Sequence, residues 1–149
     1  MKILMVSSEV VPLAKAGGLA DVISALSAAL SERGHDVRIV IPKYKFIDDP
    51  NIQDMGVQID IPMGYDFETV TLYRTKLPNT EVTVYLIDNE KLYGRDGIYG
   101  NRSTPEFMDN PRRFALLNRG VFNLCRKLNW IPDILHCHDW PASLTPALL

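Results

Sequence analysis

Two short stretches hold most of the side chains able to do chemistry. Residues 7–22, SSEVVPLAKAGGLADV, come directly after an apolar run, KILMV, and pass through a lysine and a glycine pair before a helical pattern begins. Glycines at a strand-to-helix turn let a ligand approach the backbone, and the unpaired N–H groups of a helix start point at it. Lys15 adds a mobile cation, so Lys15, Gly17 and Gly18 suit a phosphate, or a sugar ordered beside one. The patterns G-x-G-x-x-G and G-x-x-x-x-G-K-[ST] are both absent, which argues against dinucleotide and P-loop chemistry. A purely structural reading competes: Gly17-Gly18 makes a tight turn and Lys15 is solvated. Asp21 falls in the first helical turn, where a carboxylate either favours the helix dipole or receives ligand hydroxyls.

The second stretch is ILHCHDW, residues 134–140. Strand alternation puts His136 and His138 on one face. H-x-H can chelate zinc, but the only other histidine is His35, so a metal site lacks further ligands. A histidine packed in the core is the plainer outcome. Asp139-Trp140 suits a carbohydrate: a carboxylate accepts hydrogen bonds from hydroxyls, and an indole face packs on the C–H face of a sugar ring. Trp140 could equally anchor the last helix in the core.

The elements that must position these groups can be read from hydrophobic spacing. Residues 2–7 read as a short buried strand. Leu19, Val22, Ile23, Leu26 and Leu30 fall at helical spacing up to Gly34, a fitting helix terminator. DVRIVIP, residues 36–42, is a second strand, so the first 42 residues form a βαβ unit with a parallel sheet. Three β-rich runs come next, VQIDIP, ETVTLYRTKL and EVTVYLID. They suggest an antiparallel excursion whose last run returns to the main sheet. Residues 89–109 form a long polar connection of the kind that is usually functional. Asn110 and Pro111 look like the N-cap and first residue of a helix with Phe114, Leu117, Val121 and Leu124 on its apolar face. Residues 134–138 make another strand, with Asp139 as the cap of one more helix.

Bulk properties fit an α/β domain covering residues 1–149. Hydrophobic residues make up 46% and charged residues 23% of the 149, with a net charge of −2. That charge offers no basic field for nucleic acid or an anionic membrane. No apolar run reaches the roughly 18 residues of a membrane span, and the N-terminus lacks signal-peptide features. Two cysteines make no disulfide framework, which leaves the cytoplasm as the expected compartment. The sequence stops at HDWPASLTPALL, as if in the first turns of a helix, so a piece of a longer enzyme is expected.

Four segments carry a family resemblance: MKILMVSSEVVPLAKAGGLADVISALSAAL, LYGRDGIYG, MDNPRRFALLNRG and DILHCHDWPASLTPALL. In order and spacing the chain resembles the N-terminal part of bacterial glycogen synthase and plant starch synthase. The resemblance implies part of the first Rossmann-like domain of a two-domain GT-B fold, with the donor-binding second domain outside this sequence. It implies retaining transfer of glucose from ADP-glucose to the non-reducing end of an α-1,4-glucan, without metal or other cofactor. By the same resemblance Lys15, Gly17, Gly18 and Asp21 belong to the nucleotide-sugar loop, and Tyr99 to the cleft. Asp139 and Trp140 then line the glucosyl and acceptor region, with Asp139 the one catalytic candidate here. Ala16 stands where the family's loop has threonine. The family's catalytic histidine corresponds to a position beyond Leu149, so residues 1–149 alone are expected to be inactive. Two other readings stay open: a metal-dependent hydrolase using the HCHD cluster, and a non-catalytic glucan- or nucleotide-binding module.

Overall fold

The computed structural model describes residues 1–149. The near-continuous apolar runs become the centre of a parallel sheet, because strands covered on both faces have no polar face to keep. Strands β1 (Lys2–Val6) and β2 (Asp36–Pro42) flank helix α1 (Leu19–Glu32). The hairpin strands β3 (Gln53–Met63) and β4 (Asp66–Lys76) precede β5 (Thr83–Asp88). A short helix α2 (Glu90–Tyr93), the long helix α3 (Asn110–Lys127) and strand β6 (Ile134–Cys137) complete the order. Two single 3-10 turns, Trp140–Ala142 and Thr145–Leu148, end the chain.

The sheet runs β3-β4-β5-β2-β1-β6. β5, β2, β1 and β6 are mutually parallel, whereas β4 pairs antiparallel with both β3 and β5. The expected excursion and its return are therefore present. From β1 the chain moves to one side through α1; from β5 it crosses back over β2 and β1 to reach β6 through α3. Right-handed crossovers in opposite directions place α1 and α3 on opposite faces. The crevice between β1 and β6, where the strand order reverses, is where open α/β sheets bind ligands.

Helix ends show how local chemistry sets the frame. Gly34 has φ +85° and donates to the Ser31 carbonyl, while His35 donates to Leu30. This is the left-handed stop expected at that glycine. At α3 the expectation needs correction. Asn110 is the first helical residue, Asp109 precedes it, and neither side chain caps the helix. The Asn110 amide instead donates to the Tyr99 carbonyl at 2.8 Å and accepts from Arg113 at 2.7 Å. Tertiary demand for that side chain outweighs its capping preference. Asp139 does act as a cap, accepting from the Trp140 N–H at 2.7 Å, but the capped element is a 3-10 turn, not an α-helix.

Candidate active site

The site sits beyond the carboxyl ends of β1 and β6. Val6 pairs with Cys137, and the His138 N–H continues the ladder by donating to the Val6 carbonyl at 3.0 Å. The loops at these two strand ends, residues 7–18 and 138–140, therefore leave the sheet side by side.

In the first loop Lys15 reaches over the start of α1 and donates to both Asp21 oxygens at 2.8 Å. Both side chains stay about half exposed, at 53% and 56%, so the pair contributes little stability and its ammonium remains reachable. Gly18 has φ −69°, and neither Gly17 nor Gly18 has positive φ, so the turn does not require glycine. A Cβ added at either would meet nothing within 4 Å. Open space above a backbone is what a closely approaching ligand needs. The amides divide unexpectedly. Those of Ala16 and Gly17 donate to a Glu9 oxygen, at 2.7 and 2.9 Å, and the start of α1 carries no side-chain cap. The groups of this loop left without a Glu9 partner are the Lys15 ammonium and the uncapped first amides of α1.

In the second loop Asp139 has φ 60° and ψ −178°, a region nearly reserved for glycine. Strain at an aspartate is tolerated when the surrounding structure fixes it, and α3 does so here. Buried Asn118 donates to the Pro141 carbonyl at 2.7 Å and accepts from the Thr145 N–H and hydroxyl at 2.6 Å. Trp140 lies edge-on to Phe114 at 5.0 Å and tilted against Tyr99 at 5.7 Å, yet 48% of it is exposed. It is anchored by these two rings and still partly exposed.

Tyr99 joins the two loops. Its hydroxyl donates to Glu9 at 2.6 Å and shares a hydrogen bond with Ser8 at 2.8 Å. Burial, then the bond to Glu9, push its pKa well above the ordinary phenol value. Its position depends on Arg113, which is fully buried and has no carboxylate partner. Arg113 donates to the carbonyls of Leu92 and Ile98 and to Asn110, at 2.7, 2.6 and 2.7 Å. Phe107, Phe114 and Tyr93 surround its guanidinium. The long connection of residues 89–109 is thus built around one arginine, reinforced by the Arg95–Asp109 ion pair at 2.5 Å.

The His136 and His138 rings lie 4.0 Å apart, but no three His, Cys, Asp or Glu side chains gather to hold an ion. His138 is buried with its Nε2 unpartnered; burial, then the neighbouring His136, lower its pKa to about 4. A wide groove of about 1450 Å³ lies elsewhere, between α1 and the β4–β5 side of the sheet. It flanks the sheet, whereas ligands of open α/β sheets bind beyond the carboxyl strand ends.

Lys15, Gly17, Gly18, Asp21, Tyr99, Asp139 and Trp140 therefore all lie in or beside the two adjacent loops. Sequence reasoning missed Glu9, Arg113, Asn110 and Asn118 as parts of this arrangement. Arg113 and Asn118 did leave a trace, since both fall at helical spacing on the apolar stripe of α3.

A six-strand Rossmann-like sheet with loops gathered at its switch point is the architecture of a GT-B glycosyltransferase fragment. Residues 2–149 match the starch synthase catalytic domain family, to which the chain belongs. It is 50% identical over 149 residues to glycogen synthase of Treponema denticola, covering all of this chain and 30% of that protein. It is 44% identical over 153 residues to glycogen synthase 2 of Geobacter metallireducens, covering 31% of that protein. The chain thus spans less than a third of these relatives. Its structure is similar to the catalytic domain of starch synthase IV from Arabidopsis thaliana bound to ADP and acarbose. That match has a TM-score of 0.87 and 26% identity, covering 99% of this chain and 29% of the other.

Proposed function

We propose that these residues belong to a retaining glucosyltransferase that moves glucose from ADP-glucose to the non-reducing end of an α-1,4-glucan. The observation that carries the reading is the meeting of the Lys15 loop and the Asp139-Trp140 loop at the β1/β6 switch point. Glycogen synthase relatives and a structural neighbour bound to ADP support it. Lys15 and the first amides of α1 neutralise the diphosphate, Asp21 and Asp139 accept sugar hydroxyls, and Tyr99 and Trp140 pack on the glucan. As ADP leaves, negative charge grows on its phosphate, and a fixed cation there stabilises the transition state. Asp139, the one catalytic candidate here, lies beside the reacting sugar.

The reading includes a second, donor-binding domain in the same chain, a cytoplasmic setting and no metal cofactor. The test is incorporation of labelled glucose from ADP-glucose into glycogen by the full-length protein, before and after exhaustive chelation. The reading expects incorporation unaffected by chelation, and none from residues 1–149 alone. No incorporation by the full-length protein would refute the assignment; loss on chelation would refute its metal-free form.

A further inference from the structure

Glu9 has no part in the chemistry above, yet it is among the most constrained groups in the molecule. It is 2% exposed, and none of the chain's ion pairs includes it. A buried carboxylate without a cation is costly unless donors surround it. Glu9 has three, from two loops distant in sequence. One oxygen accepts from the Ala16 and Gly17 amides at 2.7 and 2.9 Å; the other accepts from the Tyr99 hydroxyl at 2.6 Å. The upward-shifted pKa of Tyr99 keeps that hydroxyl a donor at every working pH. Ser8 completes the joint by bonding the same hydroxyl.

We propose that Glu9 is a positioning residue: one carboxylate fastens the glycine loop that carries Lys15 to the aromatic loop that carries Tyr99. The phosphate end and the sugar end of the site then share one anchor, and loosening either loop displaces the other. This rests on the proposed function only for what the two loops bind. Because Glu9 occupies the Ala16 and Gly17 amides, it also fixes which amides remain for an anion, those at the start of α1.

The test uses the full-length protein with Tyr99→Phe, Glu9→Gln and the double variant. Tyr99→Phe keeps the ring against Trp140 and removes only the hydroxyl that bonds Glu9 and Ser8. Each single change should lower kcat/KM for ADP-glucose about tenfold, mainly through KM, as loss of a charge-assisted hydrogen bond implies. The double variant should fall within about twofold of the worse single one, because both break the same joint. Losses that multiply instead would overturn the proposal. Amide exchange at Ala16 and Gly17 should also quicken in Tyr99→Phe, whose lost hydroxyl bonds neither amide and reaches them only through Glu9; unchanged protection there would overturn the proposal as well. The exchange measurement needs no turnover, so it decides the role of Glu9 even if ADP-glucose proves not to be the substrate.

Discussion

Lys15 and Asp21 present opposite charges in solvent, and exposed pairs of this kind are worth about 0.2–1 kcal/mol. On the proposed reading the lysine acts on the donor phosphates, where a charge-assisted hydrogen bond is worth about 1.5–3 kcal/mol. Lys15→Gln should therefore leave the melting temperature almost unchanged while lowering kcat/KM for ADP-glucose by roughly 10- to 150-fold. Equal, small effects on both would return Lys15 to a solvated surface role. Asp139 is the reverse case, since its backbone itself is strained. Asp139→Gly should relieve about 1 kcal/mol of strain and raise the melting temperature, yet lower activity sharply. Asp139→Asn can still accept from the Trp140 N–H, so its stability should change little while activity falls. An active, more stable Asp139→Gly variant would remove this carboxylate from the chemistry.

At the scale of elements, α3 is the brace that holds both loops. Its apolar stripe was legible from the spacing of Phe114, Leu117, Val121 and Leu124. What the stripe also carries, Arg113 and Asn118, was not, because periodicity marks a face as inward without saying which carbonyls wait there. Arg113→Met keeps much of the volume but leaves the carbonyls of Leu92 and Ile98 without their donor. Stability should fall by about 3 kcal/mol, and protease should cut first within residues 89–109. Uniform destabilisation with no preferred cut would contradict a local bracing role. Beside strand β6 lies the acid-sensitive group. His138 is held neutral with a pKa of about 4, below the usual 6.5 of an unfolded histidine. The unfolded chain therefore binds the extra proton first. The stability His138 contributes is present above about pH 6.5 and is lost as pH falls toward about 4. Its facing partner is His136, whose ring lies 4.0 Å away. Unfolding at pH 7.5 and pH 5 should show this loss in the parent and much less of it in His138→Leu.

For the molecule as a whole, the parallel start and the antiparallel excursion were readable, whereas the strand order and its β1/β6 reversal came only with the structure. A βαβ unit at the start, a three-run antiparallel excursion and one later strand narrow the choice once crossovers must be right-handed. The placement of Lys15, Gly17, Gly18, Asp21, Asp139 and Trp140 at the carboxyl strand ends was legible, because strand ends and turn residues mark that edge. Glu9 was not, since a carboxylate beside two serines carries no spacing signal; its meaning comes from Tyr99, which the fold brings to it from 90 residues away. The glycine pair presents open backbone, but the Ala16 and Gly17 amides donate to that carboxylate.

The central claim is that the β1/β6 switch point, not the wide groove beside α1, receives the nucleotide sugar. Amide exchange of the full-length protein with and without ADP-glucose tests this most directly. The account predicts slower exchange at residues 16–21 and 138–140, with residues 46–53 and 74–83 of the groove unaffected. Protection confined to the groove, with residues 16–21 unchanged, would contradict it.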